Sequence, residues 1–352
     1  MRGRPEMTLP ERPALCVVQT AYLGDAVLTT PLFRALKERF PGARLVAVTT
    51  PAAAPLVSAH PDLDGLLVFD KRGAHRGLSG LREMARTLAG HRFDAAFCPH
   101  PSLRSSLLLA LAKIPLRIGH ASNAGAFLLT TRVPRDRRRH EVRRVLSLLS
   151  PFGGAPEGLA PLLVPDPAAE SSARKKLAAF GMEPGARVAG IHPFSVWGTK
   201  RWLPERFAAV ADELARRGLR VVLIGGPDDR AAAQEVLGLC RTRPADAVGV
   251  LDLRELLWAV RDMALFVTGD SGPMHVAAAL GAPIVAIFGS TVPEQGYAPY
   301  TTRAVVVQAN LDCRPCGRHG HARCPLGHFR CMREIEVADV MAGADAALAR
   351  AA

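Results

Sequence analysis

Two doubly wound α/β domains in succession are predicted for this chain, and three observations carry the prediction. Short continuous apolar runs alternate with stretches of helical spacing, the pattern of parallel strands covered on both faces. The alternation breaks over residues 151–167, where Gly and Pro crowd together without periodicity. It then restarts and continues almost to the C-terminus. A length of 352 residues accommodates two domains of ordinary size. They are expected over residues 1–160 and 161–335, with a last helical segment at 336–352.

The elements follow in order. Residues 14–20 (ALCVVQT) form the first strand and residues 25–39 the helix after it. Residues 44–49 and 94–98 are further strands, and 103–112 a helix. Beyond the break, residues 187–192 (RVAGIH) are a strand, 204–217 a helix, and 220–224 a strand running into Gly225 and Gly226. Strands at 265–268 and 284–288 flank a helix that starts near Pro273, and residues 336–350 close the chain as a helix. Folds of this kind bind ligands outside the carboxyl ends of their strands, so the two sheets are expected to face a shared cleft.

Lys and Arg number 45 against 32 Asp and Glu, a net charge of +13 that favours an acidic partner. Aromatic residues make up only 5%, which leaves few platforms for stacking bases. Phosphate-bearing substrates or an anionic lipid surface therefore fit better than nucleic acid. The first twelve residues are polar and Pro-rich, without the apolar centre of a secretory signal. The longest stretch lacking Asp, Glu, Lys and Arg, residues 271–293, carries three prolines and several glycines and is poor material for a membrane span. A cytoplasmic location is expected. No G-x-G-x-x-G follows the first strand, and the P-loop, H-E-x-x-H and G-x-S-x-G patterns are absent, which argues against dinucleotide, P-loop, metalloprotease and hydrolase-elbow chemistry.

Three strand-to-helix junctions carry candidate chemistry. In FVTGDSGPMHVAAAL the strand stops at Asp270, Ser271 can cap the helix, and Pro273 suits its first turn. Gly272 lets a ligand approach the backbone, and the free N–H groups there suit a diphosphate. Asp270 could accept hydrogen bonds from sugar hydroxyls. The plainer alternative is a turn that uses Ser and Gly only for geometry. In TAYLGDAVLTTP, Gly24 allows close approach and Asp25 sits near a helix start, either as its cap or as a general base. In HPFSVWGTKRWLP a loop carries Ser195, Thr199, Lys200 and Arg201; Lys200 could neutralise a departing phosphate, or both cations could be surface groups. Asp228 and Asp229 follow Gly225 and Gly226, where a carboxylate can hold ribose hydroxyls or cap a helix.

Four cysteines, Cys313, Cys316, Cys324 and Cys331, lie close in sequence with His319, His321 and His328. They could hold a structural zinc or pack a compact loop as reduced thiols. Cys16, Cys98 and Cys240 read as buried thiols.

Taken together, LGDAVLTTPLFRALKERFPGARL, KRWLPERFAAVADELARRG and GDSGPMHVAAALGAPIVAIFGST resemble the ADP-heptose:lipopolysaccharide heptosyltransferases, glycosyltransferase family nine. The likeness runs from about residue 15 to the final helix, and CRPC…CPLGHFRCM is similar to the heptosyltransferase II branch. One departure is a W-L-P where the family reads W-P. The resemblance implies a GT-B fold of two Rossmann-like domains, the C-terminal one holding the nucleotide sugar. It implies inverting transfer of L-glycero-D-manno-heptose from ADP-heptose to a heptosyl-Kdo-lipid A inner core. Asp25 would be the catalytic base and Lys200 the cation on the diphosphate. Ser195, Thr199, Lys200, Asp228, Asp229, Asp270, Ser271, Gly272 and His275 would surround the donor. The final helix would pack back on the N-terminal domain.

IPLRIGH around Arg117 and HEVRRVLSLL from His140 also match family segments. Arg104, Arg117, His140 and Arg144 are candidates for meeting the acidic acceptor, or are solvated cations of a basic protein. No paired acidic ligands of metal-dependent sugar transferases are present, so neither a catalytic metal nor a further cofactor is expected. The charge also suits a peripheral protein at the cytoplasmic, anionic face of the inner membrane. Two other readings stand beside this one: the same family with another nucleotide sugar or acceptor, and a non-catalytic nucleotide-sugar-binding protein.

Overall fold

The computed structural model describes residues 7–183 and 185–351. Residues 1–6 of the polar opening, Pro184 and Ala352 lie outside the described residues. The chain divides into two compact units, Met1–Val164 and Pro165–Ala352. The division falls within the Gly- and Pro-rich break.

In the first unit the chain runs β1 (Ala14–Gln19), α1 (Leu23–Arg39), β2 (Arg44–Thr49), α2 (Ala54–Val57), β3 (Gly65–Val68), α3 (Gly77–Gly90), β4 (Ala95–Cys98), α4 (Leu103–Leu111), β5 (Leu116–His120), β6 (Thr131–Val133) and α5 (Glu141–Leu146). Its strands lie in the order β3-β2-β1-β4-β5-β6, all paired in parallel. β1 and β4 are buried because both sheet faces are covered. On one face Cys16, Val18, Val46 and Cys98 pack with Leu81, Leu88 and Leu108 from α3 and α4.

The long helix α1 contains Pro31, which cannot donate to the Val27 carbonyl. The Thr30 hydroxyl donates to that carbonyl instead, at 2.8 Å, and accepts from the Leu162 amide at 3.0 Å. A side chain thus replaces a backbone bond and fastens the chain just before the division between units.

The second unit repeats the plan: α6 (Glu170–Ala179), β7 (Val188–His192), α7 (Pro204–Arg216), β8 (Arg220–Leu223), α8 (Arg230–Leu239), β9 (Ala245–Asp246), α9 (Leu253–Arg261), β10 (Leu265–Gly269), α10 (Gly272–Ala279), β11 (Ile284–Phe288), β12 (Ala304–Gln308), α11 (Arg330–Arg333) and α12 (Val337–Ala349). The order β12-β11-β10-β7-β8-β9 is the same doubly wound sequence of strands as in the first unit, reversed in listing. In each sheet the chain changes winding direction beside its first strand, between β1 and β4 and between β7 and β10. Crevices at such switch points are where doubly wound sheets take ligands.

In the final helix Val340, Met341, Ala344 and Ala347 are buried in the core of the second unit, with Val285, Ile287, Val305 and Val307. Gly343 makes this possible, since a Cβ there would stand 3.1 Å from Val307 and 3.3 Å from Val285. The same end is held by the Trp202 indole and the Arg206 guanidinium, both donating to the Ile335 carbonyl. Among the described residues, no helix is long and apolar enough to cross a membrane.

Candidate active site

The second unit gathers polar groups at its switch point. His192 ends β7, and its register partner on β10 is Thr268. The two side chains meet at 3.3 Å, and Ser271 closes the group with its hydroxyl 3.1 Å from Thr268 and 3.5 Å from His192. Burial pushes the His192 imidazole down to about 4, so it stays neutral. Ser271 occupies the N-cap position of α10 by backbone geometry, but its hydroxyl caps no backbone N–H. The side-chain cap expected there is therefore replaced by the bonds to Thr268 and His192. The first N–H groups of α10 are left to an anion, with the positive end of the helix dipole behind them. His275 is buried on the same helix.

Asp270, buried past the end of β10, receives the Lys200 ammonium at 2.5 Å and the Thr291 hydroxyl at 2.7 Å. Lys200 and Asp270 therefore form one unit of almost buried, opposite charges, 13% and 9% exposed at their side chains. Lys200 lies in the short 3-10 turn Gly198–Lys200. A Cβ on Gly269 would stand 3.1 Å from the Lys200 carbonyl, so glycine at the strand end lets this loop approach.

Thr199 serves the loop. Its buried hydroxyl accepts from the His321 amide at 2.8 Å and meets Ser290 at 2.9 Å, while its own amide donates to the His321 carbonyl. The Cys-rich segment is thereby sewn onto the Lys200 turn. Arg314 reinforces it by donating to the carbonyls of Gly289, Ala309, Phe288 and Thr291. Ser195 accepts from the Trp197 amide, and its carbonyl from Arg201. The Trp197 and His319 rings stack at 6.4 Å and 12°. Asp229 accepts from the Gly226 amide at 2.9 Å, the capping alternative; burial raises its carboxyl above the usual range. Asp228 is exposed next to it.

All seven cysteines are free thiols; Cys16 and Cys98 are buried as expected, whereas Cys240 is only partly so. Cys331 is buried, and the Cys316 thiol lies 3.2 Å from the Cys313 carbonyl. Among the described residues, no three His, Cys, Asp or Glu side chains are arranged as a metal-binding group.

In the first unit Asp25 lies in the first turn of α1 and accepts from the Tyr22 amide at 3.3 Å. Gln19 ties this turn to β1, donating to Thr29 at 2.8 Å. Lys71, not anticipated from the sequence, donates to the Thr20 carbonyl at 2.5 Å, and the Thr20 hydroxyl meets Ser105 at 3.1 Å. Burial, with Arg72 and Arg104 nearby, lowers the Lys71 ammonium below the ordinary lysine range. Arg104 stands at the same rim, donating to the His75 and Gly77 carbonyls and lying over the Phe69 ring.

The other basic candidates have partners of their own. Arg117, near the amino end of β5, brackets the carbonyls of Leu128 and Ile114. Arg144 is buried against Glu141 at 2.9 Å, beside the Arg135–Glu141 pair at 2.5 Å. His140 caps α5 by accepting from the Val142 amide. Lys71 could be found only from tertiary structure, whereas Ser290 and Thr291 were findable as hydroxyls just past a strand end.

Burial also pushes His60 and His120 down to about 4. The unfolded chain binds these protons near pH 6.5 and the native chain near pH 4, so stability is intact above 6.5 and falls as pH drops through that window. With His192 included, each group withdraws up to about 3 kcal/mol at the acid end. Thermal unfolding followed from pH 7 to pH 4.5 should show Tm falling from about pH 6.5, and a flat Tm down to pH 5 would contradict this reading.

Two doubly wound parallel sheets, one with an anion-ready helix start and a lysine–carboxylate pair at its switch point, define the GT-B class of glycosyltransferases. A family model described as Glycosyltransferase family 9 (heptosyltransferase) matches residues 81–326, and the chain belongs to that family. It is 28% identical over 279 residues to lipopolysaccharide heptosyltransferase 3 of Escherichia coli strain K12, covering 77% of this chain and 80% of that one. It is 27% identical over 292 residues to lipopolysaccharide heptosyltransferase 2 of Salmonella typhimurium, covering 80% and 84%. Among solved structures, a family 9 glycosyl transferase from Veillonella parvula superimposes with a TM-score of 0.88 at 28% identity, over 98% of this chain and 99% of that one. The E. coli ADP-heptose lps heptosyltransferase II shares the fold, with a TM-score of 0.80 at 24% identity over 96% and 99%.

Proposed function

We propose that this chain transfers L-glycero-D-manno-heptose from ADP-heptose, with inversion, to the heptosyl-Kdo-lipid A inner core of lipopolysaccharide. The observation that carries the proposal is the Lys200–Asp270–Thr291 group beside the uncapped N–H groups of α10. A diphosphate placed there meets a fixed ammonium and helix N–H donors, while Asp270 keeps a lone pair for a sugar hydroxyl. In the reaction an acceptor hydroxyl gives its proton to the Asp25 carboxylate as its oxygen bonds the anomeric carbon. The bond from that carbon to the diphosphate breaks, and ADP leaves with the electron pair. Lys200 and the α10 N–H groups stabilise that charge without a metal ion. Relatives named heptosyltransferase 2 and 3 support heptose as the transferred sugar, and the cysteine run favours the second branch.

Mass spectrometry of products from ADP-heptose and truncated cores tests the reading. A mass gain of one heptose on the heptosyl-Kdo acceptor is expected. Preference for a UDP-sugar, or for the acceptor lacking the first heptose, would overturn the donor or the branch respectively.

A further inference from the structure

Because every strand of the first sheet is parallel, the segment after each strand emerges at one rim. Large apolar side chains stand bare along it. Tyr22, past β1, is 71% exposed; Leu78, in the first turn of α3, 67%; and Phe127, in the turn between β5 and β6, 69%. Leu103, the first residue of α4, and Val68, the last of β3, are exposed at the same rim, whereas Leu111 and Leu162 lie elsewhere.

Direct contacts make these one surface. Thr20 touches Ser105, Arg104 donates to the carbonyls of His75 and Gly77, and a Cβ on Gly125 would come within 3.1 Å of the Leu103 Cα. The cations are interleaved with them: Arg72 and Arg76 are exposed in the loop that leads into α3, and Lys71 is half-buried beside them. Of the carboxylates in the segments that follow these strands, Asp25 lies in the first turn of α1, Asp70 is occupied by the amides of Arg72, Gly73 and Ala74, Asp136 is paired with Arg139, and Glu141 with Arg135 and Arg144. Bare apolar tips among cations match a bilayer boundary, where the tips reach acyl chains and the cations meet anionic headgroups.

We propose that this rim docks the chain on an anionic phospholipid surface, with Leu78 and Phe127 entering the layer between headgroups and acyl chains. The inference rests on the lipid-linked acceptor of the proposed function for its purpose, and its test needs no acceptor. Flotation of the full chain with phosphatidylethanolamine–phosphatidylglycerol vesicles should show binding that salt weakens and that phosphatidylcholine vesicles do not support. Leu78→Ser or Phe127→Ser should each weaken partition about tenfold.

Both side chains are exposed, so Tm should hold. As a second measurement, Phe127→Trp should gain fluorescence that brominated acyl chains quench. Undiminished partition of the double serine variant, absence of quenching, or self-association that the same changes abolish would overturn the proposal. Both serine variants should turn over a deacylated, water-soluble acceptor like the parent. Failure of the parent itself on that acceptor would count against the proposed function and leave the vesicle result standing.

Discussion

Replacing Asp25 by asparagine is expected to lower turnover about a thousandfold, with nucleotide affinity unchanged. Asparagine keeps the shape and an oxygen for the Tyr22 amide, so the first turn of α1 stays tied. What it loses is the capacity to take a proton from the acceptor hydroxyl. The fold should lose only the favourable charge at the helix start, about 0.3–1 kcal/mol. The nucleotide contacts proposed above belong to the second unit, so ADP titration should match the parent. Single-turnover assays with saturating ADP-heptose give the direct reading; retained turnover would remove Asp25 as the base.

Replacing Lys200 by methionine should have two separable effects. Losing the ammonium on the leaving diphosphate should lower kcat by about 10²–10³ and weaken ADP binding. It also strands Asp270, buried beside the Thr291 hydroxyl, at a cost of about 3 kcal/mol in stability. The double variant Lys200→Met with Asp270→Asn removes the stranded charge, so it should regain most of the stability and none of the activity. Urea unfolding and steady-state kinetics on the same three proteins check this. Recovery of turnover in the double variant would show that Lys200 acts only by holding Asp270.

Much of the framework was legible locally. The first strand, the second strand, the helix at 204 and the strand at 284 fall within a residue of their expected bounds, because buried parallel strands read as unbroken apolar runs. β3, β5, β6, β9 and β12 were missed: they have two to five residues and lie at or next to the sheet edges, too short for periodicity to register. The α10 junction was legible because strand end, glycine and proline are contiguous. The buried partner of Arg144 was not legible, because its charge is visible in sequence while Glu141, which buries with it, does not announce itself as a partner.

The sequence by itself determined two alternating α/β units, a break between them, and the junctions at residues 20–25, 192–200 and 269–272. Those features depend on neighbours a few positions apart, where periodicity and turn chemistry act. Tertiary structure alone decided that Lys200 and Asp270, 70 residues apart, share one hydrogen bond. It also decided that Thr199 bonds the chain 122 residues later, that Lys71 reaches back to Thr20, and that the final helix is buried in the second core. Such pairings follow from which strands become neighbours in the sheet, and strand order is fixed by packing the whole chain rather than by any local run of residues.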